Sequence, residues 1–414
     1  MNSRERILAT WKGEPVDHVP LTTWCFGLPA HPDLKWERDG VPRPFWYTLR
    51  LEHLHTLPHP WTLADDVDRV RAWKSLGVDD MLEISVPWSV DPDVTWTDTT
   101  VDAGVEDPRY PVMIREYRTP SGPLRHAVRK TGEQAGPGWV VQPDVVPLIE
   151  DFNIPRGVDH AVTGPADVKA LKHLYTPPDE TAQHWFTERA AQVAKAADTE
   201  SVPVQAWAGF GMDAVVWFAG AEGAVFFAVD HPDAFGELMN RITETDLARA
   251  ELAAAAPGID IVAARGWYSS TDFWSPGLFD AFVYPYIEAM AEAIHTHGKT
   301  FGYVMTTGVE TLGPRLADAG VDVLYFVDPV QDTISLAAAA EQLGDRMTLA
   351  GGINTVSLKT DGPDAVKNQV RQAIDSLAPT GRFILHPVDA LFPDTPWQGI
   401  ETMLDAWREA AGVA

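Results

Sequence analysis

The chain has 414 residues, 45% hydrophobic and 22% charged, and its 59 acidic against 32 basic side chains leave a formal net charge of −27. Such a composition is globular, and the negative excess excludes sequence-independent binding to nucleic-acid phosphates or to anionic membrane surfaces. The single cysteine, Cys25, excludes an intrachain disulfide and any structural zinc site built from two thiolates of one chain, which suits a reducing compartment.

Taken in chain order, eight β-branched and apolar runs read as strands: Val19–Trp24, Met81–Val86, Val202–Trp207, Ile259–Ala264, Thr300–Met305, Asp322–Val327, Met347–Ala350 and Arg382–His386. Helical spacing of apolar residues follows the later ones, over Phe279–His297, Val309–Ala319, Ile334–Leu343, Ala365–Leu377 and Trp397–Ala411. Eight strand-then-helix units predict one α/β domain over residues 1–414, a (β/α)8 TIM barrel with an N-terminal helix. The rhythm breaks between Val86 and Val202. There Val112–Tyr117 and Leu124–Lys130 flank a Pro/Gly turn and read as a β-hairpin, so residues 88–180 are expected to form an insertion, or lid, over one barrel mouth. The Pro/Gly-rich run from Gly136 to Pro165 reads as a loop within it. No charged-then-apolar leader opens the chain, and the longest weakly charged apolar stretch, Ala214–Val229, is interrupted by Glu222 and falls short of the ~20 residues that span a bilayer. The expected location is cytoplasmic.

Two motifs carry bland readings. Gly209–Ala214 (GFGMDA) matches a shortened dinucleotide fingerprint, but it lies mid-chain and holds an aspartate that would repel pyrophosphate, so a structural turn is expected. His295 and His297 lie two apart and would point to different sides of a helix, so with Gly298 and Lys299 they read as a helix C-terminus rather than a metal pair.

In a barrel the chemistry sits where strands end, and here those ends are polar and aromatic: Trp24 and Cys25, Glu83 and Ser85, Gln205 and Trp207, Arg265 with Trp267 and Tyr268, Tyr303 and Met305, Asp328 and Gln331, Asn354, and His386 with Asp389. A lined pocket explains this pattern better than loop capping does. His386, Asp389, Tyr303 and Glu83 are the candidate acid/base residues. Trp24, Trp207, Arg265, Tyr268, Asp328, Gln331 and Asn354 are the candidate substrate-binding residues. The sixteen tryptophans, several beside glycine or proline, suggest an aromatic cleft for a flat or cyclic molecule.

Residues 4–20 (RERILATWKGEPVDHVP), with Phe273–Pro276, His297–Lys299, Gly320–Asp322, Gly351–Asn354, Phe383–Pro387 and Phe392–Pro396, resemble the uroporphyrinogen decarboxylase superfamily in order and spacing, over nearly the whole chain except the insertion. That resemblance implies a barrel enzyme, either a decarboxylase or a cobalamin- or coenzyme-linked methyltransferase. Two departures narrow it. Family decarboxylases carry arginines after the first strand that bind substrate carboxylates, whereas Leu21–Pro29 holds no basic residue; the Asp79–Asp80 pair lies near where those enzymes carry a catalytic aspartate. The family's zinc methyltransferases carry His-x-Cys after the fifth strand and Cys after the eighth, where this chain has Tyr303-x-Met305 and Asp389, so a thiolate zinc site is not expected and no cofactor is assigned.

The resulting expectation is methyl transfer or O-demethylation of a small aromatic or cyclic substrate by acid/base catalysis, with a corrinoid protein or other methyl acceptor as partner, and with a homodimer compatible. The alternatives are decarboxylase or lyase chemistry on another substrate, and a non-catalytic ligand-binding barrel.

Overall fold

The computed structural model describes residues 1–25, 31, 35–38, 41–44, 62–131, 146, 148–149, 154–392 and 394–413. Half of the Gly136–Pro165 loop, Trp139 included, and residues 26–29 lie outside them. In chain order the described strands are β1 (Lys35–Arg38), β2 (Val41–Pro44), β3 (Leu82–Ser85), β4 (Thr95–Val101), β5 (Val112–Thr119), β6 (Gly122–Arg129), β7 (Gly157–Asp159), β8 (Val204–Gly209), β9 (Ile261–Ala264), β10 (Thr300–Val304), β11 (Val323–Val327), β12 (Thr348–Asn354) and β13 (Phe383–Val388). Seven of these, in the order β13-β12-β11-β10-β9-β8-β3, form one curled parallel sheet.

The first expected strand, Val19–Trp24, is reduced to isolated parallel bridges, Leu21 with Leu385 and Cys25 with Leu391. Pro20 has no N–H to donate, so the ladder cannot run backwards from Leu21. What remains still reaches both edges of the sheet. The Leu385 N–H donates to Pro20 O and the Thr22 N–H to Leu385 O, while on the other side the Asp79 N–H donates to Leu21 O.

Strand parity sorts side chains into two cores. Outward residues such as Val262, Ala264, Phe301, Tyr303, Leu324 and Leu349 pack with the helices, among them Glu180–Glu200, Pro232–Ala255, Tyr284–Thr296 and Pro363–Leu377. Inward residues, Trp207, Ile261, Ala263, Val304, Val323, Tyr325, Ala350 and Ile384, form a smaller inner core. Helix α1 (Ser3–Lys12) begins in a capping box between Asn2 and Glu5 and sends Ile7 and Trp11 into that inner core. Its Arg6 bridges Asp17 and buried Asp79.

The Val112–Tyr117 and Leu124–Lys130 pair is an antiparallel hairpin, β5 with β6, set in a four-stranded sheet with β4 and β7. Sequence reading missed β4, whose TWTDTTV run is almost wholly exposed and so lacks the apolar alternation of a half-buried strand. The apolar Ala214–Val229 stretch becomes two helices, Gly211–Ala219 and Ala221–Asp230, bent by 100° at Gly220, whose φ of +73° is open to glycine. Among the described residues no single helix is long and apolar enough to cross a membrane.

Candidate active site

The inner face of the sheet carries a polar cluster at its β3 edge. Arg69, on helix α2 (Leu63–Ser75), donates through Nε and Nη2 to Asp66 Oδ1 (2.9 and 2.7 Å), through Nη1 to both Asp80 oxygens (2.6 and 2.7 Å), and through Nη2 to Met81 O (2.7 Å). All three side chains are buried. One guanidinium therefore faces two carboxylates, and a third, Glu83, follows on β3. Glu83 Oε1 accepts from Trp207 Nε1 (3.0 Å) and Gln205 Nε2 (3.2 Å), and Gln205 Oε1 accepts from Tyr325 Oη (3.0 Å). Burial raises Glu83 to about 7 and Asp80 to about 6, against the pull of Arg69 in the opposite direction.

Opposite this cluster stands His386 on β13. Its Nδ1 is hydrogen-bonded to Thr22 Oγ1 (2.8 Å), its ring stacks on Phe326 (4.9 Å, 27°), and its buried Nε2 has no partner among the described residues. Burial drives the imidazole down to about 3, so it is neutral at physiological pH. Glu83, His386, Thr22, Trp24, Trp207 and Phe326 line one cavity of ≈ 30 Å³, with Arg69, Asp80 and Gln205 also in its wall. That space holds a water or two, or one small head group, and not an aromatic ring.

Four aromatic rings gather beside it. Trp24 lies 5.5 Å from Trp267, 6.1 Å from Trp207 and 6.2 Å from Phe326, and Trp207 stacks on Trp267 at 6.4 Å. Trp267 Nε1 donates to Asp389 Oδ1 (3.1 Å), and the Arg265 guanidinium lies 4.2 Å over the Trp267 ring while pairing with Asp213 (3.0 Å).

The sequence-read site residues thus fall into separate groups. Trp24, Glu83, Trp207 and His386 share the cavity wall. Arg265, Tyr268 and Asp389 are held around Trp267: the Tyr268 N–H donates to Asp213 and its ring meets Phe273 at 5.4 Å. Asp389, three residues after His386, does not meet its ring nitrogen: the oxygen on Nδ1 belongs to Thr22. Asp328 accepts from Asn354 Nδ2 and from the Val330 and Gln331 N–H groups, closing the loop after β11, while Asn354 also caps the Thr355–Thr360 helix and Gln331 is exposed. Tyr303 has the wrong parity for the cavity: with Phe301 and Met305 it faces the helices, fully buried, donating to Ser269 Oγ (2.8 Å).

Residues that sequence reading missed include Thr22, Arg69 and Phe326, whereas Asp80 was noted there with Asp79 only through the family resemblance. Arg69 carried one usable signal, an Asp66–Arg69 pair at i,i+3 on the buried face of an amphipathic helix. Phe326 carried none. A register shift between Tyr325 and Val327 puts two successive side chains, Tyr325 and Phe326, on the inner face, which strict alternation forbids.

Two motifs resolve structurally. The Phe210 and Gly211 N–H groups, where a dinucleotide phosphate would lie, donate to the chain's own Asp246 Oδ2 (2.7 and 2.9 Å). His295 ends the Tyr284–Thr296 helix and bonds to Asp322 (2.8 Å), and Lys299 Nζ donates to Ile259 O. The positions that align with the family's zinc ligands do not fit that metal. Tyr303 and Met305 face the helices, Asp389 accepts from Trp267, and the Cys25 thiol is buried and pushed up to about 12.

The sequence model described as "Uroporphyrinogen decarboxylase (URO-D)" matches residues 149–410. A curated uroporphyrinogen decarboxylase of Dichelobacter nodosus is 25% identical over 253 residues, 58% of this chain and 68% of that protein. One of Xanthomonas campestris pv. campestris is 24% identical over 227 residues, 51% of this chain and 60% of its own length. Among solved structures, a methyltransferase from Methanosarcina mazei superposes with a TM-score of 0.60 at 16% identity over 99% of both chains, a likeness of fold.

Proposed function

Since the chain belongs to the uroporphyrinogen decarboxylase family, we propose that it is an enzyme performing methyl-group chemistry, transfer or demethylation, on a small aromatic or cyclic substrate, with proton transfer through Glu83 and His386. The reading rests on one juxtaposition: a carboxyl raised to about 7 and an imidazole Nε2 unpartnered among the described residues line the same small cavity beside four aromatic rings. Near neutral pH Glu83 divides between its acid and carboxylate forms. It can protonate the heteroatom that a methyl group leaves, or take a proton from one that a methyl group joins. His386, held by Thr22, hydrogen-bonds that heteroatom through Nε2. The ring of the substrate is too large for the cavity and lies against Trp24 and Trp267, with the methyl acceptor, a corrinoid protein or another nucleophile, at the open end. In this reading residues 20–25 are the eighth staves of a single (β/α)8 barrel, and residues 88–180 are its lid.

Decarboxylation, the activity named for the curated relatives, is the second reading. It is the weaker one because Arg69, the one guanidinium in the cavity wall among the described residues, already spends every nitrogen on Asp66, Asp80 and Met81 O and has none left for a substrate carboxylate.

The test is a panel of methylated benzyl amines and ethers with free cob(I)alamin as acceptor, read by mass spectrometry. Demethylated product from the wild type, falling about 10²–10⁴-fold in Glu83→Gln, is expected. Release of carbon dioxide from carboxylated analogues, with no demethylation across the panel, sinks the methyl reading and selects the second.

A further inference from the structure

Within the methyl-group reading, on which this inference rests, the chemical class of the atom that enters the cavity is open between oxygen and nitrogen. We propose that it is a cationic nitrogen: the cavity recognises an amine that carries a proton, its own or the one Glu83 gives it, so that the Glu83 carboxylate becomes its counter-ion and the Trp24, Trp207 and Phe326 rings its walls.

Three observations converge on positive charge. The first is a charge imbalance built into the wall. Asp66, Asp80 and Glu83 are buried around Arg69, which is shared between the two aspartates and makes no hydrogen bond to Glu83, while Arg189 acts on Asp66. Glu83 Oε1 takes two neutral donors, and no partner of Oε2 is found among the described residues. A buried carboxylate so placed gains most from a ligand that brings its own charge. The second is the surface around it. Indole and phenyl faces attract cations through their ring quadrupoles, tryptophan most strongly, and the attraction grows when water is excluded. The third is the pair of orphaned acceptor sites: His386, neutral and 4% exposed, lines the same cavity with an unpartnered Nε2, which can accept a second ammonium N–H when Nδ1 carries the ring proton toward Thr22. The ≈ 30 Å³ volume suits an ammonium or methylammonium head, and the net charge of −27 draws cations toward the protein. A carboxylate head would meet the opposite of each condition.

The experiment uses the full chain and three probes matched in shape: N-methylbenzylamine, benzyl methyl ether and benzoate, titrated calorimetrically at pH 8. The amine is expected to bind at least about tenfold more tightly than the ether, and benzoate not to bind. Glu83→Gln is expected to abolish the preference for the amine while leaving ether binding in place. The wild-type comparison stands alone if that variant fails to fold, because the amine and the ether differ in little but charge. Equal affinity for the two, tighter binding of benzoate, or an amine preference that survives Glu83→Gln would overturn the inference. Equal affinity accompanied by demethylation of the ether would do so while leaving the methyl-group reading intact.

Discussion

Glu83 binds a proton in the folded chain that it would release in water at neutral pH. Its carboxyl sits at about 7 because burial penalises the charged form, whereas its ordinary value is 4.5. Between these values the folded chain holds a proton that the unfolded chain has lost, so the stability owed to this residue falls as pH rises through the window. Glu83→Gln keeps an oxygen for Trp207 and Gln205 and removes the penalty. Its melting temperature should exceed that of the wild type by roughly 3–6 °C at pH 8, with the gap closing by pH 5, as followed by circular dichroism. A variant that loses stability at pH 8 while losing activity would mark Glu83 as a structural carboxylate. Thr22 offers the complementary change. Thr22→Val strips the last hydrogen bond from a buried imidazole and should lower turnover with little change in KM, at a cost of about 1–3 kcal/mol in stability, whereas Thr22→Ser should restore both. At this scale Trp24, Trp207 and His386 were legible because each ends an apolar run, and Glu83 because it is the charged residue inside one; all four line the cavity on the inner face. Thr22 was not, since nothing in a sequence tells which hydroxyl will lie against an imidazole 364 positions away.

Among the elements, the turn between β8 and the Gly211–Ala219 helix shows how a functional motif becomes a structural one. Buried Asp246 accepts from the Phe210 and Gly211 N–H groups, from the Tyr175 and Tyr286 hydroxyls, and from Arg249, whose guanidinium also lies 4.1 Å over the Phe210 ring. Asp246→Ala would leave that guanidinium buried beside unpaired donors. A loss of about 3–5 kcal/mol in urea unfolding is expected, and a loss under 1 kcal/mol would show that water replaces the carboxylate. The sequence carried the glycines of this turn but not its anion, which comes from a helix more than thirty residues on. Seven parallel strands were readable because β-branched runs alternate with helical spacing. The eighth segment was readable only as apolar residues, since Pro20 breaks the ladder that would have made it a strand, and β4 was hidden by its polar, exposed side chains.

For the molecule as a whole, the decisive feature is that one short N-terminal stretch serves both edges of the sheet. β3 and β13 are the terminal strands, and residues 20–22 bond toward each, while α1 fills the inner core between them with Ile7 and Trp11. Open parallel edges template aggregation. Deletion of residues 1–25 should therefore give protein that elutes as soluble aggregate or pellets, although every strand of the seven-stranded sheet is retained. A monodisperse product on size exclusion with native circular dichroism would show that the sheet is sealed without them.

The same closure governs the order in which the candidate site comes together. Synthesis runs from the N-terminus, so Thr22 and Glu83 leave the ribosome long before His386 exists to meet them, and the Leu21–Leu385 bridge can form only when β13 has been made. A nascent chain several hundred residues long thus carries half a site and an unsealed sheet, and its late, long-range closure makes the waiting interval the period of greatest dependence on chaperones. Premature termination just before β13 yields a polypeptide with most of its helices and half of the candidate site.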